Sequence, residues 1–401
     1  EAEVKSKVGG DPRRAGVGGG GWVHMNAAGC SPTHDATHRA VTAHLELERE
    51  VGGYAAHDQL LKTSRDAHEA LGDLLGCDAD EIALAESCQA AWCKAFYSMD
   101  FRDGDRIVCG ANEYGGNAVA FLQQARRRGV KVEVIPVCDD GVLDLPALRA
   151  ALEPGRGGAG RTLVALTHVA TDDSAVQPAA EVGRIAKAAG ATYLLDACQA
   201  IGQIPVDVRE LQCDFACGTG RKWLRGPRGT GFLYARRGAL PDGAGGAGLV
   251  GEPPIVDHFG AAWTAPFTYE VKPGAQRYEM WEASMAARAG LAVAADVCRR
   301  VGLERIRAIS SGLADRLRAG LATVPAVTLH RGGAASRCAI VLFHAEKMDS
   351  WVLAERLASR KIGAAVAPGS QTFVVGAPAA PTRVRVSPTY FNTEAEVDMV
   401  V

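Results

Sequence analysis

The chain has 401 residues, a mass of 42.0 kDa, 47% hydrophobic residues and a formal net charge of -2. This length allows one large and one small domain, and the charge gives no electrostatic reason to expect a nucleic acid or a membrane surface as partner. No run of about eighteen apolar residues predicts a membrane span. No secretory signal stands at the start, so we expect a cytoplasmic protein.

In chain order, residues 1–21 are glycine-rich with mixed charge, which predicts a flexible N-terminal arm. A short strand at 22–29, a helix at 33–51 and an amphipathic helix at 64–76 follow. Strands are then predicted at 81–85, 106–109, 132–137, 162–168, 192–196, 214–217 and 232–234, with helices after 86 and at 145–152 and 179–189. Because strands and helices alternate, we predict an α/β fold with a parallel sheet covered on both faces.

The last third of the chain has a different pattern. It predicts helical structure at 283–322 and 350–359, with short strands at 327–329, 338–343 and 384–387. We therefore divide the chain into the arm 1–21, a large domain 22–275 and a small C-terminal domain 276–401. The N-terminal segment of the large domain is expected to contribute to the small one, and the Gly/Ala-rich stretch 238–251 is predicted to be a loop at a subunit contact.

The eleven cysteines form neither a metal nor a disulfide pattern. None belongs to a CxxC pair, their number is odd, and most fall inside apolar stretches, as Cys109, Cys138, Cys217 and Cys298 do. These features predict reduced, buried thiols and no metal site.

The most informative stretch surrounds Lys222, which follows the strand at 214–217 and precedes a glycine-rich turn at 226–231. Small residues and an apolar strand would desolvate this lysine, as imine chemistry requires. Asp196 ends the strand 26 positions earlier. Neighbouring strand ends would bring this carboxylate and the amine into one crevice. A lone Asp is more often a helix cap and a lone Lys a solvated side chain, but together they are the pair that pyridoxal phosphate requires.

The run from Asp196 to Leu233 resembles, without a gap, the lysine signature of class V, fold-type I pyridoxal-phosphate enzymes, the cysteine desulfurase and isopenicillin epimerase group. Other parts of the family pattern recur in order over residues 22–401. The resemblance implies a large domain with a mostly parallel seven-stranded sheet between helices, and a smaller α+β C-terminal domain. It also implies bound pyridoxal 5'-phosphate, an amino acid substrate and a homodimer with the site at the subunit interface.

The resemblance assigns roles to individual residues. Lys222, Asp196 and Tyr114 would be catalytic, with the Tyr114 ring stacked on the cofactor ring. The other residues implied to bind the cofactor are Ser87, Cys88, Gln89, Thr171, Gln199, Thr219, Arg221 and Glu282, the last one toward the partner subunit's cofactor phosphate. The residues implied to bind the substrate are Asn26, Ala27, Tyr54, Asn117 and Arg385, the last one by its carboxylate, with Arg383 as the alternative.

The reaction depends on what surrounds the lysine. A cysteine desulfurase needs a nucleophilic cysteine on a mobile loop, but the corresponding stretch 366–371 has none, and Cys338 lies in an apolar strand. This disfavours persulfide-forming desulfuration. Several stretches resemble the carbon–sulfur lyases of ergothioneine biosynthesis instead: 27–31, 50–54, 113–117, 221–223 with 226–229, 282–283 with 286–288, and 385–388 with 392–393.

We therefore predict a pyridoxal-phosphate-dependent carbon–sulfur lyase. Its reaction would be β-elimination from an S-substituted cysteine, converting hercynylcysteine sulfoxide to ergothioneine, pyruvate and ammonia. Tyr54 and His57, expected in a loop after the first helix, would line the leaving-group pocket or simply pack there. The alternatives are a class V amino acid epimerase or aminotransferase, a cystine or cysteine lyase or desulfurase, and a cofactor-free binding protein.

Overall fold

A computed structural model describes residues 21–63, 65–156, 160–241, 249–330, 337–369, 373 and 381–401. The predicted N-terminal arm lies outside these residues except for its last one. Part of the predicted loop at 238–251 and positions 370 and 371 of the stretch 366–371 also lie outside them.

The first part of the chain alternates strands and helices. Its elements are β1 Val23–His24, α1 Asp35–Val51, α2 Gly53–Thr63, α3 Ala67–Leu75, β2 Ile82–Ala85, α4 Cys88–Tyr97, β3 Arg106–Gly110, α5 Gly115–Arg128, β4 Lys131–Ile135, α6 Leu145–Ala151, β5 Thr162–Thr167, α7 Ala179–Ala188, β6 Thr192–Asp196, α8 Val208–Leu211, β7 Phe215–Thr219 and β8 Gly231–Ala235.

Strands β2 to β8 form one seven-stranded sheet in the order β2-β8-β7-β6-β5-β3-β4. β8 runs antiparallel to both of its neighbours, and the other pairs are parallel. Every residue of β3, β7 and β8 is buried, as expected of strands covered by helices on both faces. The predicted α/β fold with a mostly parallel seven-stranded sheet is confirmed.

The second part of the chain contains an exposed hairpin, two long helices and a small sheet. Its elements are β9 Ala261–Ala265, β10 Thr268–Val271, α9 Met285–Val301, α10 Leu303–Ala322, β11 Val327–Leu329, β12 Val341–Ala345, α11 Ser350–Ser359, β13 Ile362–Gly363, β14 Ala365–Ala367, β15 Arg383–Val386 and α12 Glu394–Asp398.

The small sheet is antiparallel and has the order β11-β12-β15-β14. β1 pairs with β13 in parallel, which brings the start of the described chain onto its C-terminal part. The division of the chain at residue 275 stays a prediction.

Capping residues explain where the helices begin and end. α3 begins at Ala67 rather than at the predicted position 64, because the Asp66 carboxylate accepts a hydrogen bond from the His68 backbone N–H at 2.8 Å. It ends before Gly76, whose φ of +74° is the left-handed conformation that favours glycine. In α4, the Ser87 hydroxyl accepts a hydrogen bond from the Ala90 N–H at 3.1 Å.

Two expectations were wrong, and one hairpin was missed. Residues 53–63 form α2 instead of a loop, because Gly52, with a φ of +83°, ends α1 and the helix-forming residues after it start a second helix. The β9–β10 hairpin was not predicted. Cys138 is exposed, since β4 ends at Ile135 before reaching it. In the described part of the chain, no helix combines the length and the apolar character needed to cross a membrane.

Candidate active site

The carboxyl ends of three neighbouring parallel strands meet at one cavity. β5 ends at Thr167, β6 at Asp196 and β7 at Thr219, and Thr167 is the direct sheet partner of Asp196. Lys222 follows β7 by one short turn. The side chains that line the cavity are those of Ser87, Cys88, Gln89, Tyr114, Thr167, Val169, Thr171, Asp196, Cys198, Gln199, Thr219, Arg221 and Lys222. The structure thus brings together ten of the residues that the sequence predicted.

Asp196 is buried and surrounded by hydrogen-bond donors. Its Oδ1 accepts from the Cys198 backbone N–H at 3.0 Å, and its Oδ2 accepts from Asn117 Nδ2 at 2.9 Å. The Cys88 thiol lies 3.7 Å from Oδ1. This carboxylate is fixed in direction and faces the cavity, which suits it to hold a cationic ring nitrogen.

Cys198 was not predicted as a site residue, yet it lines the same cavity as Lys222, Asp196 and Tyr114. A hydrogen bond with Cys88, together with the charge of Lys222, lowers the pKa of Cys198 to about 7. Cys88 Sγ lies 3.2 Å from Cys217 Sγ, and the ligand atoms of Cys88, Cys217 and Asp196 are close enough to one another to hold a metal ion. All eleven cysteines carry free thiols.

Thr171 links Gln199 to Arg385, the predicted carboxylate-binding arginine. Its hydroxyl oxygen accepts hydrogen bonds from Gln199 Nε2 at 2.8 Å and from Arg385 Nη1 at 2.7 Å. Trp223 Nε1 donates to Gln199 Oε1 at 2.9 Å, which fixes the Gln199 amide. Arg385 Nε is buried with no hydrogen-bond partner among the described residues.

The predicted phosphate-binding residues lie at the start of α4 and around β7. Gly231 packs so closely on Ser87 that a Cβ there would lie 2.1 Å from the Ser87 carbonyl carbon, so only glycine fits. The Thr219 hydroxyl donates to the Thr230 carbonyl oxygen at 2.9 Å. The Arg221 guanidinium donates to the carbonyl oxygen of Gly29.

The remaining predicted residues lie outside this cavity. Asn26 and Ala27 pair with Ser387 beside it, and the neighbouring Ala28 carbonyl accepts from Gln199 Nε2 at 3.1 Å. Tyr54 and Glu282 line a second cavity, together with His57 and Trp281, that shares no lining residue with the first. Tyr54 lies on α2 and not in the expected loop, and its role in a leaving-group pocket stays a prediction.

Arg225 is a further residue that the sequence did not point to. It is fully buried with a φ of +58°, and its Nε donates to the Pro32 carbonyl at 3.1 Å. Nη1 donates to the Tyr390 hydroxyl at 3.3 Å, and the guanidinium lies 4.7 Å from the ring centroid of Phe391. Arg225 therefore joins the turn that carries Lys222 to segments near both ends of the described chain.

Comparison with known proteins shows which family has this arrangement. The family model described as aminotransferase class V matches residues 25–400. The chain belongs to this family.

Its relatives include a probable cysteine desulfurase of Methanothermobacter thermautotrophicus, 28% identical, with 94% of this chain and 92% of that protein covered. A cysteine desulfurase of Serratia proteamaculans is 32% identical, with 74% and 70% covered.

Solved structures share the fold of this class V chain. The apo cysteine desulfurase of Thermococcus onnurineus NA1 aligns with a TM-score of 0.81 and 22% identity, over 94% of this chain and 92% of that one. A cystine C–S lyase in complex with its product cysteine persulfide aligns with a TM-score of 0.80 and 22% identity, over 95% and 96%. These findings confirm a fold-type I pyridoxal-phosphate enzyme of the carbon–sulfur lyase class, with pyridoxal phosphate as its cofactor.

The residues present fit that cofactor. A buried carboxylate with three donors around it, an amine in the same cavity and the N-terminus of a ten-residue helix capped by Ser87 supply the three kinds of group it needs.

Proposed function

We propose that this class V enzyme cleaves the carbon–sulfur bond of a cysteine derivative by β-elimination. The proposal rests on one observation: Lys222 and Asp196 line the same cavity, and Arg385 donates a hydrogen bond to Thr171, which also lines it. When bound, pyridoxal phosphate supplies an electron sink for the pair of electrons released at the substrate Cα.

The chain's own residues would divide the remaining work. Lys222 Nζ would remove the α-proton, and Asp196 would keep the ring nitrogen protonated. Tyr114, whose side chain lines the cavity, would stack on the ring. Arg385, which donates to the cavity residue Thr171, would bind the substrate carboxylate through its guanidinium.

The other predicted residues would complete the site. Residues Ser87, Cys88 and Gln89 at the start of α4, with Thr219 and Arg221, would surround the phosphate. Thr171 and Gln199 would hold the ring's phenolic oxygen, and Asn26, Ala27 and Asn117 would approach the substrate.

Cysteine or cystine is the first candidate substrate, because relatives of this chain are named cysteine desulfurases and a protein of the same fold is a cystine C–S lyase. The stretch 366–371 contains no cysteine to receive sulfur. We therefore expect elimination to pyruvate rather than transfer of the sulfur to an enzyme cysteine with release of alanine.

Hercynylcysteine sulfoxide is the second candidate, because its leaving group carries a trimethylammonium. The second cavity offers the rings of Tyr54 and Trp281, 6.4 Å apart, and the carboxylates of Glu48, Asp58 and Glu282. Aromatic faces and carboxylates attract quaternary ammonium groups. For this cavity to serve the reaction, we propose a homodimer in which it faces the cofactor site of the partner subunit.

The test is to incubate the purified holoenzyme with cysteine, cystine, S-alkylcysteines and hercynylcysteine sulfoxide, and to identify the products by mass. Pyruvate and ammonia released at equal rates would support elimination. Alanine with a protein persulfide would indicate a desulfurase, racemised substrate an epimerase, and dependence on an added keto acid an aminotransferase. Each of these outcomes would contradict the proposal.

A further inference from the structure

Glu113 lies between β3 and α5 and is not among the residues predicted for the site. Its carboxylate Oε1 accepts hydrogen bonds from the Tyr114 backbone N–H at 2.9 Å and from Asn117 Nδ2 at 3.0 Å. The Thr167 hydroxyl also donates to this oxygen. Three donors therefore converge on a single carboxylate oxygen beside the cofactor cavity.

Each of these donors belongs to a part of the cofactor site. Tyr114 lines the cavity and is the residue that begins α5. Thr167 lines it as well, and in the sheet it is the direct partner of Asp196. Glu113 thus fixes the start of α5, and with it the direction of the Tyr114 ring. It also fixes the end of β5, which lies beside Asp196.

Asn117 connects Glu113 to Asp196 directly. The single nitrogen Nδ2 donates to Glu113 Oε1 at 3.0 Å and to Asp196 Oδ2 at 2.9 Å, which its two hydrogens allow. An ionised carboxylate can only accept, so the nitrogen of this amide must face the two acids. Asn117 and Asp196 are buried and Glu113 is half-buried, so one amide joins the two carboxylates beneath the surface.

The charge of Glu113 is sensitive to this environment. Burial raises the pKa of Glu113 to about 7, and the charge of Asp196 adds to this effect, whereas the hydrogen bonds from Thr167 and Asn117 oppose it. Other ionisable groups around this network are the buried Cys109 thiol on β3, whose pKa the charge of Glu113 raises, and Cys198, whose backbone N–H donates to Asp196 and whose own pKa is lowered to about 7. When Glu113 takes up a proton, the Thr167 hydroxyl can turn from donor to acceptor.

We propose that Glu113 is a positioning residue of the cofactor site, which holds Asp196 through Asn117 and Tyr114 through the start of α5, and whose charge acts on the cofactor ring through Asp196. The inference deepens the proposed function but depends only on cofactor binding at this site, and it is independent of the substrate.

Two substitutions separate the geometric role from the charge. Glu113→Gln keeps an oxygen acceptor of the same shape and removes the ionisation. Glu113→Ala removes both, which leaves one Asn117 hydrogen and the Thr167 hydroxyl without this acceptor. The Tyr114 N–H then keeps only the longer hydrogen bond to the Thr167 hydroxyl oxygen, at 3.3 Å. The matched control is Glu181→Gln on the outer helix α7, where Glu181 pairs only with arginines at the surface.

The first measurement is titration of each apo variant with pyridoxal phosphate, followed by absorbance. Because buried donors lose their acceptor, we expect Glu113→Ala to raise the cofactor dissociation constant about tenfold or more, while Glu113→Gln stays within about threefold. Asn117→Ala, which breaks the link but keeps both acids, should resemble Glu113→Ala. Glu113→Ala binding the cofactor as tightly as Glu181→Gln would overturn the geometric part of the inference.

The second measurement is the pH dependence of the holoenzyme's visible absorbance between pH 5.5 and 9. All proteins carry Cys198→Ala here, because the Cys198 thiol titrates in the same range. The otherwise unsubstituted protein and Glu181→Gln should show a component with a midpoint near pH 7, the pKa of Glu113, and Glu113→Gln should lack it. If Glu113→Gln keeps that component, the charge of Glu113 does not reach the ring. Far-ultraviolet circular dichroism identifies any variant that fails to fold, and the Gln variant alone still decides this part. A failure of carbon–sulfur cleavage would leave both measurements unchanged.

Discussion

The Lys222 cavity and the second cavity are built in different ways. The Lys222 cavity is assembled at the carboxyl ends of three parallel strands, and its polar groups are held by hydrogen bonds from neighbouring strands. The second cavity is lined by α1, α2, the start of α3 and residues 276–289. There, His68 lies between Asp66, at 2.6 Å, and Glu279, at 2.5 Å. The strand ends hold the reactive groups of the Lys222 cavity in fixed directions, whereas the helices of the second cavity surround it with aromatic rings and charged side chains.

The largest effect should follow the loss of Lys222. Because Lys222→Ala removes both the covalent anchor and the proton acceptor, we expect the rate of pyruvate release to fall by roughly a thousandfold or more. The visible absorbance of the protein–cofactor complex should disappear as well. The control is Lys187→Ala on the outer helix α7. Normal turnover by Lys222→Ala would place the chemistry outside this cavity.

Loss of the ring-nitrogen anchor should have the next largest effect. In Asp196→Ala the ring nitrogen loses its counter-charge, so we expect kcat to fall by about a hundredfold, with bound cofactor still detectable. The measurement is steady-state turnover of cystine with cofactor in excess. Asp207→Ala, which removes only the cap of α8, should retain activity. If kcat stayed unchanged and only KM rose, Asp196 would act in substrate binding instead.

Removing a ring from the second cavity should affect only cationic leaving groups. We expect Trp281→Ala to raise KM for hercynylcysteine sulfoxide about tenfold and to leave cystine turnover unchanged. Trp281→Phe, which keeps an aromatic face, should lie close to the unsubstituted enzyme. Equal effects on both substrates would mean that this cavity does not select the leaving group.

The smallest effect concerns stability in the second cavity. Burial lowers the pKa of His68, but its hydrogen bonds with Asp66 and Glu279 outweigh this and raise that pKa to about 9. Since the folded-state pKa exceeds the unfolded value of 6.5, the stabilisation is complete below pH 6.5 and is lost as the pH rises through 9. We expect the free energy of unfolding to fall by at most about 3 kcal/mol across this window.

Urea unfolding at pH 7.5 and pH 10 measures this loss, and His68→Gln should lose less stability between the two pH values than the exposed control His38→Gln. The Glu113 pKa, also raised, affects stability between its unfolded value of 4.5 and about 7, below the range of this experiment.

The sequence was sufficient for the features that depend on local pattern. The strand ending at Asp196 was predicted residue for residue, and Asp196 and Lys222 do meet in one cavity. Helix α2 was missed because the pair Gly52 and Gly53 looks like a break, although it only redirects the chain.

Glu113 was missed for a different reason. Its donors come from positions 114, 117 and 167, and the last becomes a neighbour only when β5 enters the sheet beside β3. Nothing in the spacing of one sequence reveals that contact. An acidic residue between a predicted strand and Tyr114 was the available signal.

Arg225 gives the catalytic lysine a dependence on residues far away along the chain. Its guanidinium rests on the Phe391 ring and bonds the Tyr390 hydroxyl, while its backbone N–H donates to the Lys222 carbonyl at 3.2 Å. A truncation that deletes the last dozen residues would leave the hydrogen bonds of the seven-stranded sheet in place. It would remove the contacts of Arg225 with Tyr390 and Phe391, and with them a support of the turn that positions the Lys222 amine. Catalysis would then be abolished in a protein that still melts cooperatively.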